Sequence, residues 1–573
     1  MIARQNSIIS KLKTLLWPAR PAPAQSKKSA LNRLGFAASV IALCFFALSA
    51  KAIYLTVIIE KDSQLSGKSA LPAQRGEIYD RNGQVLAHNI PIITLYADPK
   101  HIMDADDTAR KLAHYLPDTS AREIKRLLTR NSRYVELKNK LVPARHADIL
   151  RLGLPGIYFK SSVARIYPQG REAAHLLGQI DVDGKGIAGI ERSFNDRLAA
   201  GEDITLSIDV NVQSIIRREL AAQIQRFEAI GGAGLLLDIE TGELVSAVSL
   251  PDYNPNHYQL ASSESLFNNA TKGVFEMGSI FKVLNTAIAL ETNVSSIHSQ
   301  FEVSKPIRVA RHSIRDYHPY YRKLNLSEIL VFSSNIGSAK IAESYGPQVQ
   351  KSYFEKLGLL KRPDLALPET SSPLVPDKWG RISTMTISFG HGISVSPVHA
   401  ASAIAAASGY GEYIEPTILK REAGEIFERR RIFSEDTVRA IRTMMRLVVT
   451  HKEGTANFAD ADGYLVGAKT GTAEKIENKR YNKNSNRVSL VASFPVSSPR
   501  YLLFVMVDEP KGQKHSHGYA TAGWVAAPAA KQVIEHIAPM LNVFPVDKDA
   551  PEIRQNLIPQ LLRYKTGAIV ASF

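Results

Sequence analysis

Strand-like segments at residues 234–238 and 243–248 stand far along the chain from others at 464–472, 488–494 and 501–508. Helical patterns dominate the stretch between them, up to about residue 450. A sheet begun early and completed late must close around that helical block, so the order predicts an α+β domain. A strand over 204–208 and a helix over 213–227 lead into it, and a helix over 526–537 follows the last strand. The 573 residues leave room for two to four folded units at roughly 100–200 residues each. With 45% hydrophobic and 22% charged residues, the chain is not wholly disordered, collagen-like or a polytopic transporter. Its single cysteine, Cys44, excludes an internal disulfide framework and a cysteine-rich zinc module.

The net charge of +16 is distributed unevenly. Residues 1–33 carry Arg4, Lys11, Lys13, Arg20, Lys27, Lys28 and Arg33 and no acid. Residues 34–50 hold no charge, and Lys51 is followed by eight more uncharged residues, 52–59. At 1.5 Å per residue the first run spans about 26 Å, close to the thickness of a bilayer core. Lys51 can snorkel to the headgroups. The pattern predicts a cytoplasmic basic leader over 1–33, a transmembrane anchor over 34–56, and the remainder outside the cytoplasm. Cleavage at Ala50-Lys51-Ala52, which imitates a signal-peptidase site, is the competing expectation, although the leader is long for a signal peptide. Cys44, inside the run, reads as a small apolar filler.

Beyond the anchor, Arg75-Gly76-Glu77-Ile78-Tyr79-Asp80-Arg81-Asn82-Gly83 reads as a strand entering a tight hairpin at Asn82-Gly83. Helices are predicted over 108–129 and 143–152, and turns at Tyr167-Pro168-Gln169-Gly170 and Asp183-Gly184-Lys185-Gly186. No cluster of chemical groups stands out before about residue 205.

The chemistry gathers in three later groups. Ser279-Ile280-Phe281-Lys282 opens an apolar run with Phe281, Leu284 and Ile288 at helical spacing, which brings Ser279 and Lys282 to one side. Alone the pattern is weak: Ser10 and Lys13 repeat it in the leader, and a capping serine with a surface lysine explains most such pairs. Ser333-Ser334-Asn335 begins 54 residues after Ser279, and Lys469-Thr470-Gly471-Thr472 begins 134 residues after Asn335. Ser193 with Asn195 and Lys565-Thr566-Gly567 repeat these in other contexts, one ahead of the candidate nucleophile and one in the tail. Order, spacing and flanking strands together single out the first set.

In this order the chain resembles the penicillin-binding proteins and serine β-lactamases, which share these three motifs. The resemblance extends to class B penicillin-binding proteins at Arg75–Gly83, Tyr167-Pro168-Gln169-Gly170, Gly189-Ile190-Glu191, Phe275-Glu276-Met277-Gly278-Ser279, Ser388-Phe389-Gly390-His391-Gly392 and Val395-Ser396-Pro397. It is closest to the division-specific D,D-transpeptidases of that class and covers roughly residues 30–545. Met277 stands where proline is usual, and the link from Asn195 to Thr205 is short. The resemblance implies a penicillin-recognising fold, an antiparallel sheet with helices, over 205–545. An elongated, dimerisation-like pedestal over 57–204 would precede it, and a tail over 546–573 would follow. It also implies septal cross-linking of peptidoglycan, with a stem pentapeptide ending in D-Ala-D-Ala as donor and a neighbouring stem amine as acceptor. β-Lactams would acylate the same serine. Implied partners are a SEDS-type glycosyltransferase and other divisome membrane proteins.

A serine hydroxyl needs a base within hydrogen-bond reach, and Lys282 can serve only when neutral. Lowering a lysine from about 10.4 to near 7 takes roughly 4 kcal/mol, which burial and the nearby Lys469 cation would supply. Ser333 would relay the proton to the leaving amine. Asn335 would hold the substrate backbone and orient Lys282. Gly471 would admit the substrate as an added strand, and Thr470 and Thr472 would offer hydroxyls to its carboxylate. The resemblance implies an oxyanion hole from the N–H groups of Ser279 and Thr472.

No cofactor or metal is expected. His515-Ser516-His517 reads as a loop, and Glu474-Lys475 as a solvated hairpin. The aromatic and basic stretch from Tyr317 to Lys323 reads as an extracytoplasmic loop with no nucleic acid to meet. The competing functions are an elongation-specific transpeptidase, a D,D-carboxypeptidase or β-lactamase, and a β-lactam sensor or divisome scaffold without turnover. The E-x-x-L-N string of a deacylating β-lactamase is missing.

Overall fold

The computed structural model describes residues 26–53 and 74–553, apart from 142, 310, 311, 478, 479, 549 and 552. Most of the leader, Ser10 and Lys13, residues 54–73, the Lys565 copy of K-T-G and most of the tail lie outside the described residues. The chain divides into two compact units, Met1–Ala73 and Gln74–Phe573. Among the described residues of the first, a helix runs Ser26–Ile53, with Phe36, Leu43, Phe45, Phe46 and Leu48 exposed along it. Among the described residues no helix is long and apolar enough to cross a membrane.

The second unit is built on two sheets. The late-completed sheet has five strands, all antiparallel, in the spatial order Gly467–Glu477, Arg480–Phe494, Tyr501–Asp508, Gly231–Asp238, Leu244–Leu250. The early pair therefore joins the late group through Tyr501–Asp508, as the spacing demanded. Every residue of Gly231–Asp238 and Leu244–Leu250 is buried. Side chains alternate across a strand, so both faces are covered. The helices Val210–Arg226 and Ala522–Met540 pack together and on the sheet; Pro397–Ser408, Lys282–Glu291 and Glu435–Thr450 form a second packed group. Gly467–Glu477 lies at the sheet's edge and pairs on one side only.

The helical block is interrupted by short antiparallel pairs that the sequence reading missed. Gln300–Glu302 pairs with Lys323–Asn325, Ile307–Val309 with His312–Ile314, and Glu412–Tyr413 with Arg430–Arg431. Runs of two or three residues are too short for an alternation pattern to register.

The smaller sheet has Ile78–Tyr79, Val85–Ala97, Val135–Leu141, Ile157–Ile166 and Ile204–Thr205. The hairpin at Asn82-Gly83 is present. Asp80 Oδ1 accepts from the N–H groups of Asn82 and Gln84, both at 2.8 Å, and Gly83 takes φ +82°. Ile204–Thr205 runs parallel to Ile78–Tyr79, so the chain ties back to the hairpin as it enters the larger sheet. The predicted 108–129 helix is two helices, Ala105–Tyr115 and Ala121–Leu128. Asp104 and Ser120 cap their first turns. Their buried Leu112, Ile124 and Leu128 make a satellite core with Leu95 and Val135.

Beside the smaller sheet sits a buried charge hub. Glu191, fully buried, accepts from Arg75 Nε and Arg165 Nε, both at 2.7 Å. Arg75 also donates to Gly184 O and Asn195 Oδ1, and Arg165 to Gly76 O. The early stretches that resemble class B proteins, Arg75–Gly83 and Gly189-Ile190-Glu191, thus meet in one structural joint.

Candidate active site

Ser279 lies on a 3₁₀ turn, Gly278–Phe281, and Lys282 starts the helix Lys282–Glu291. The predicted pairing at i and i+3 holds for a different local reason than an α-helix face: side chains three apart eclipse in 3₁₀ geometry. Lys282 Nζ stands 3.0 Å from Ser279 Oγ.

The second motif arrives by a strained turn. Ser333 has φ +59°, a left-handed conformation that costs a non-glycine residue about 1–3 kcal/mol. It brings both Ser333 O, at 2.5 Å, and Ser333 Oγ, at 3.1 Å, to Lys282 Nζ. Ser334 caps the following helix Asn335–Lys356 through Gly337 N and donates to Asp316 Oδ2 at 2.7 Å. Asp316 Oδ1 takes the Ile336 N–H. Asn335 Oδ1 is 2.7 Å from Lys282 Nζ, and its amide nitrogen donates to Arg315 O, which fixes the amide's orientation.

The third motif lies on the edge strand. Lys469 is fully buried, and its Nζ reaches Ser333 Oγ at 3.1 Å and Thr470 O at 2.9 Å. Ser333 Oγ therefore stands 3.1 Å from both amines. Thr470 Oγ1 donates to Thr455 Oγ1 at 2.7 Å, and Thr472 is exposed on the strand. A Cβ at Gly471 would stand 2.6 Å from both Met277 O and Ser489 Oγ. The strand packs against the turn that carries Ser279, and that contact alone requires a glycine.

The electrostatics follow from burial. Removal from water, and then the neighbouring Lys469, push Lys282 well below the usual lysine range, against the opposing pull of Asp316. Burial brings Lys469 itself down to about 7. Around neutral pH it is thus only partly charged, where the sequence reading treated it as a full cation. None of the hydrogen-bond partners of either amine is a carboxylate. A neutral Lys282 has two N–H groups and one lone pair. Ser333 O and Asn335 Oδ1 can only accept and take the two N–H groups, leaving the lone pair for the Ser279 hydroxyl. The arrangement is that of a base already aimed at a nucleophile.

The five residues Ser279, Lys282, Ser333, Asn335 and Lys469 thus converge, with Thr470, Gly471 and Thr472 on the adjoining edge. Ser193 and Asn195 stay apart, Asn195 serving the Arg75 hub. Asp316 and Thr455 carried no sequence signal, because their partners are set by tertiary contact. Lys475 is not simply solvated but pairs with Asp508 and Glu509. His515 takes a hydrogen bond from Arg226 and His517 packs on Trp524. Tyr320 stacks on Phe332, while Tyr317 and Tyr321 point into solvent.

The chain is similar to known proteins over most of its length. The penicillin-binding protein transpeptidase domain matches residues 232–535, and the penicillin-binding protein dimerisation domain matches residues 70–227. The probable peptidoglycan D,D-transpeptidase FtsI of Caulobacter vibrioides is 40% identical over 82% of this chain and 82% of its own. The peptidoglycan D,D-transpeptidase FtsI of Escherichia coli K12 is 30% identical over 85% of this chain and 87% of its own. The fold is shared with penicillin-binding protein 3 of Mycobacterium tuberculosis at a TM-score of 0.67 and 22% identity, over 83% of this chain and 98% of that one. With a dimerisation domain joined to a transpeptidase domain, the chain belongs to the class B penicillin-binding proteins.

Proposed function

We propose that this chain is a peptidoglycan D,D-transpeptidase that cross-links stem peptides during septal wall synthesis and is acylated by β-lactams. The observation that carries the reading is the Lys282 amine, buried and without an acidic partner, 3.0 Å from Ser279 Oγ. Lys282 takes the Ser279 proton as the oxygen attacks the penultimate D-Ala carbonyl. The N–H groups of Ser279 and Thr472 receive the developing oxyanion. The proton passes from Lys282 by way of Ser333 to the departing D-Ala amine as the peptide bond breaks. An acceptor amine then attacks the ester and loses its proton to Lys282, and Ser279 regains a proton as the new amide forms. The open edge of Gly467–Glu477 supports docking of the donor peptide as an added strand, with Thr470 and Thr472 beside its carboxylate. The relatives' names support the activity, and the M. tuberculosis neighbour is described in complex with aztreonam.

The same proposal includes a single-pass anchor over 34–56, with the leader cytoplasmic and the catalytic unit periplasmic. It is supported by the one-sided charge and by the exposed apolar side chains along Ser26–Ile53. Division into a pedestal over 57–204 and a transpeptidase domain over 205–545, and a SEDS-type polymerase partner, belong to it as well. The test is covalent labelling by a fluorescent penicillin. Ser279→Ala abolishes labelling in a folded protein while Ser10→Ala leaves it unchanged; labelling that survives Ser279→Ala overturns the assignment.

A further inference from the structure

The three residues before Ser279 each make a tie to a neighbouring wall of the site. Gly278 N donates to Gly390 O at 3.2 Å. Met277 O receives the Ser489 hydroxyl at 3.4 Å and lies against Gly471. One residue earlier the tie is a side chain. Glu276 Oε1 accepts the Gly392 N–H at 2.8 Å and the Tyr481 hydroxyl at 3.2 Å. Gly392 belongs to the turn after the helix Arg381–Ile387, and Tyr481 to the strand Arg480–Phe494 that pairs with the edge strand. One carboxylate oxygen thus joins the nucleophile turn, the Gly390–Gly392 turn and the third-motif hairpin. Tyr481 packs its ring on His391 at 5.7 Å, and Arg487, farther along the same strand, lies over the Phe275 ring at 4.1 Å.

Glu276 Oε2 is buried and has no hydrogen-bond partner. A carboxylate held this way is not placed for its own solvation, and Arg487 acts on it only through space, against the effect of burial. Burial raises the Glu276 carboxyl above its usual range. Its function is met by one accepting oxygen, and a neutral amide in the same place supplies that oxygen too.

We infer that Glu276 is a positioning residue for acylation: its carboxyl oxygen latches Gly392 and Tyr481 and so fixes the turn that presents Ser279 between the two walls of the peptide groove. The inference rests on Ser279 being the acylated residue, which the labelling of Ser279→Ala decides separately.

The experiment is rapid-mixing acylation of the full-length protein in detergent with a fluorescent penicillin, separating pre-covalent binding from the acylation step, alongside thermal unfolding. Glu276→Ala slows the acylation step about tenfold or more, the scale of one oriented hydrogen-bonded contact. Pre-covalent binding stays within about threefold, and every folded chain is labelled at the end point. Glu276→Gln keeps the accepting oxygen and restores acylation to within about threefold of the parent. Tyr481→Phe, changed at a half-exposed ring, removes one of the two bonds and slows the step about two- to fivefold, so the test stands even where Glu276→Ala folds poorly. A purely structural role would lower the melting temperature and the labelled fraction but leave the acylation step of folded chains unchanged. That result overturns the inference, as does a Glu276→Gln enzyme as slow as Glu276→Ala.

Discussion

Two of the buried charge clusters among the described residues are assembled on opposite terms. In the hub beside the smaller sheet, Arg75 and Arg165 grip Glu191 from both sides at 2.7 Å. In the active site, Lys282 and Lys469 share Ser333 Oγ, and neither has an acid among its partners. A buried cation facing a carboxylate stays charged and welds chain segments together. A buried lysine with no carboxylate among its hydrogen-bond partners is pushed toward its neutral form, by burial first and, at Lys282, by the neighbouring Lys469 second. Burial of charge by itself therefore does not mark a catalytic group here; burial without a counter-charge does.

The largest effects come from breaking the hub. Glu191→Gln leaves two guanidinium groups facing each other without an anion, and loss of one partner of a buried pair costs about 3–5 kcal/mol. Denaturant unfolding of this variant should show a loss on that scale, whereas acylation by the chains that remain folded stays near the parent rate. The same operation in the active site gives the opposite pattern. Lys469→Met removes a lysine that burial has already brought to about 7, so thermal stability at neutral pH is unchanged or raised. Acylation falls by about 100-fold or more, roughly 2.7 kcal/mol of transition-state stabilisation. Lower melting together with unimpaired acylation in Lys469→Met would collapse the distinction between the clusters. Asp316→Asn is a milder perturbation: it weakens the tether on Ser334 and Ile336 and removes the charge that opposes the lowering of Lys282. A fall of about tenfold in acylation is expected, with the second-order rate constant as the readout. Smallest of all, Lys565→Ala repeats the K-T-G change in the tail, and acylation within about threefold of the parent is expected.

What the sequence disclosed was what local pattern can carry. The strand-like segments 234–238 and 501–508, on either side of the helical block, announced a sheet begun early and completed late, and the order of three short motifs picked Ser279, Lys282, Ser333, Asn335 and Lys469 from among repeats at Ser10, Ser193 and Lys565. What it withheld were relations across the fold. Asp316, Thr455 and Glu276 are ordinary polar residues until Ser334, Thr470 and Gly392 are brought to them. Gly471 illustrates the same limit. Its motif suggested room for substrate, while the packed turn at Met277 explains the glycine without one. The left-handed backbone of Ser333, which aims two oxygens at one amine, had no signature in residue type, since serine is not a residue that favours positive φ.

The central claim is that Lys282 is neutral, and ready to accept a proton, at the pH where the enzyme works. The pH dependence of acylation by a β-lactam tests it most directly. The deprotonated amine is the active form, so the rate rises with pH through the lysine's own titration and then stops rising. With burial and Lys469 holding Lys282 well below its ordinary value, the rise ends well below the pH at which an ordinary lysine titrates, and the profile then levels or turns over. A rate that continues to climb about tenfold per pH unit from 7 to 10, as an ordinary lysine of about 10.4 would dictate, contradicts the account.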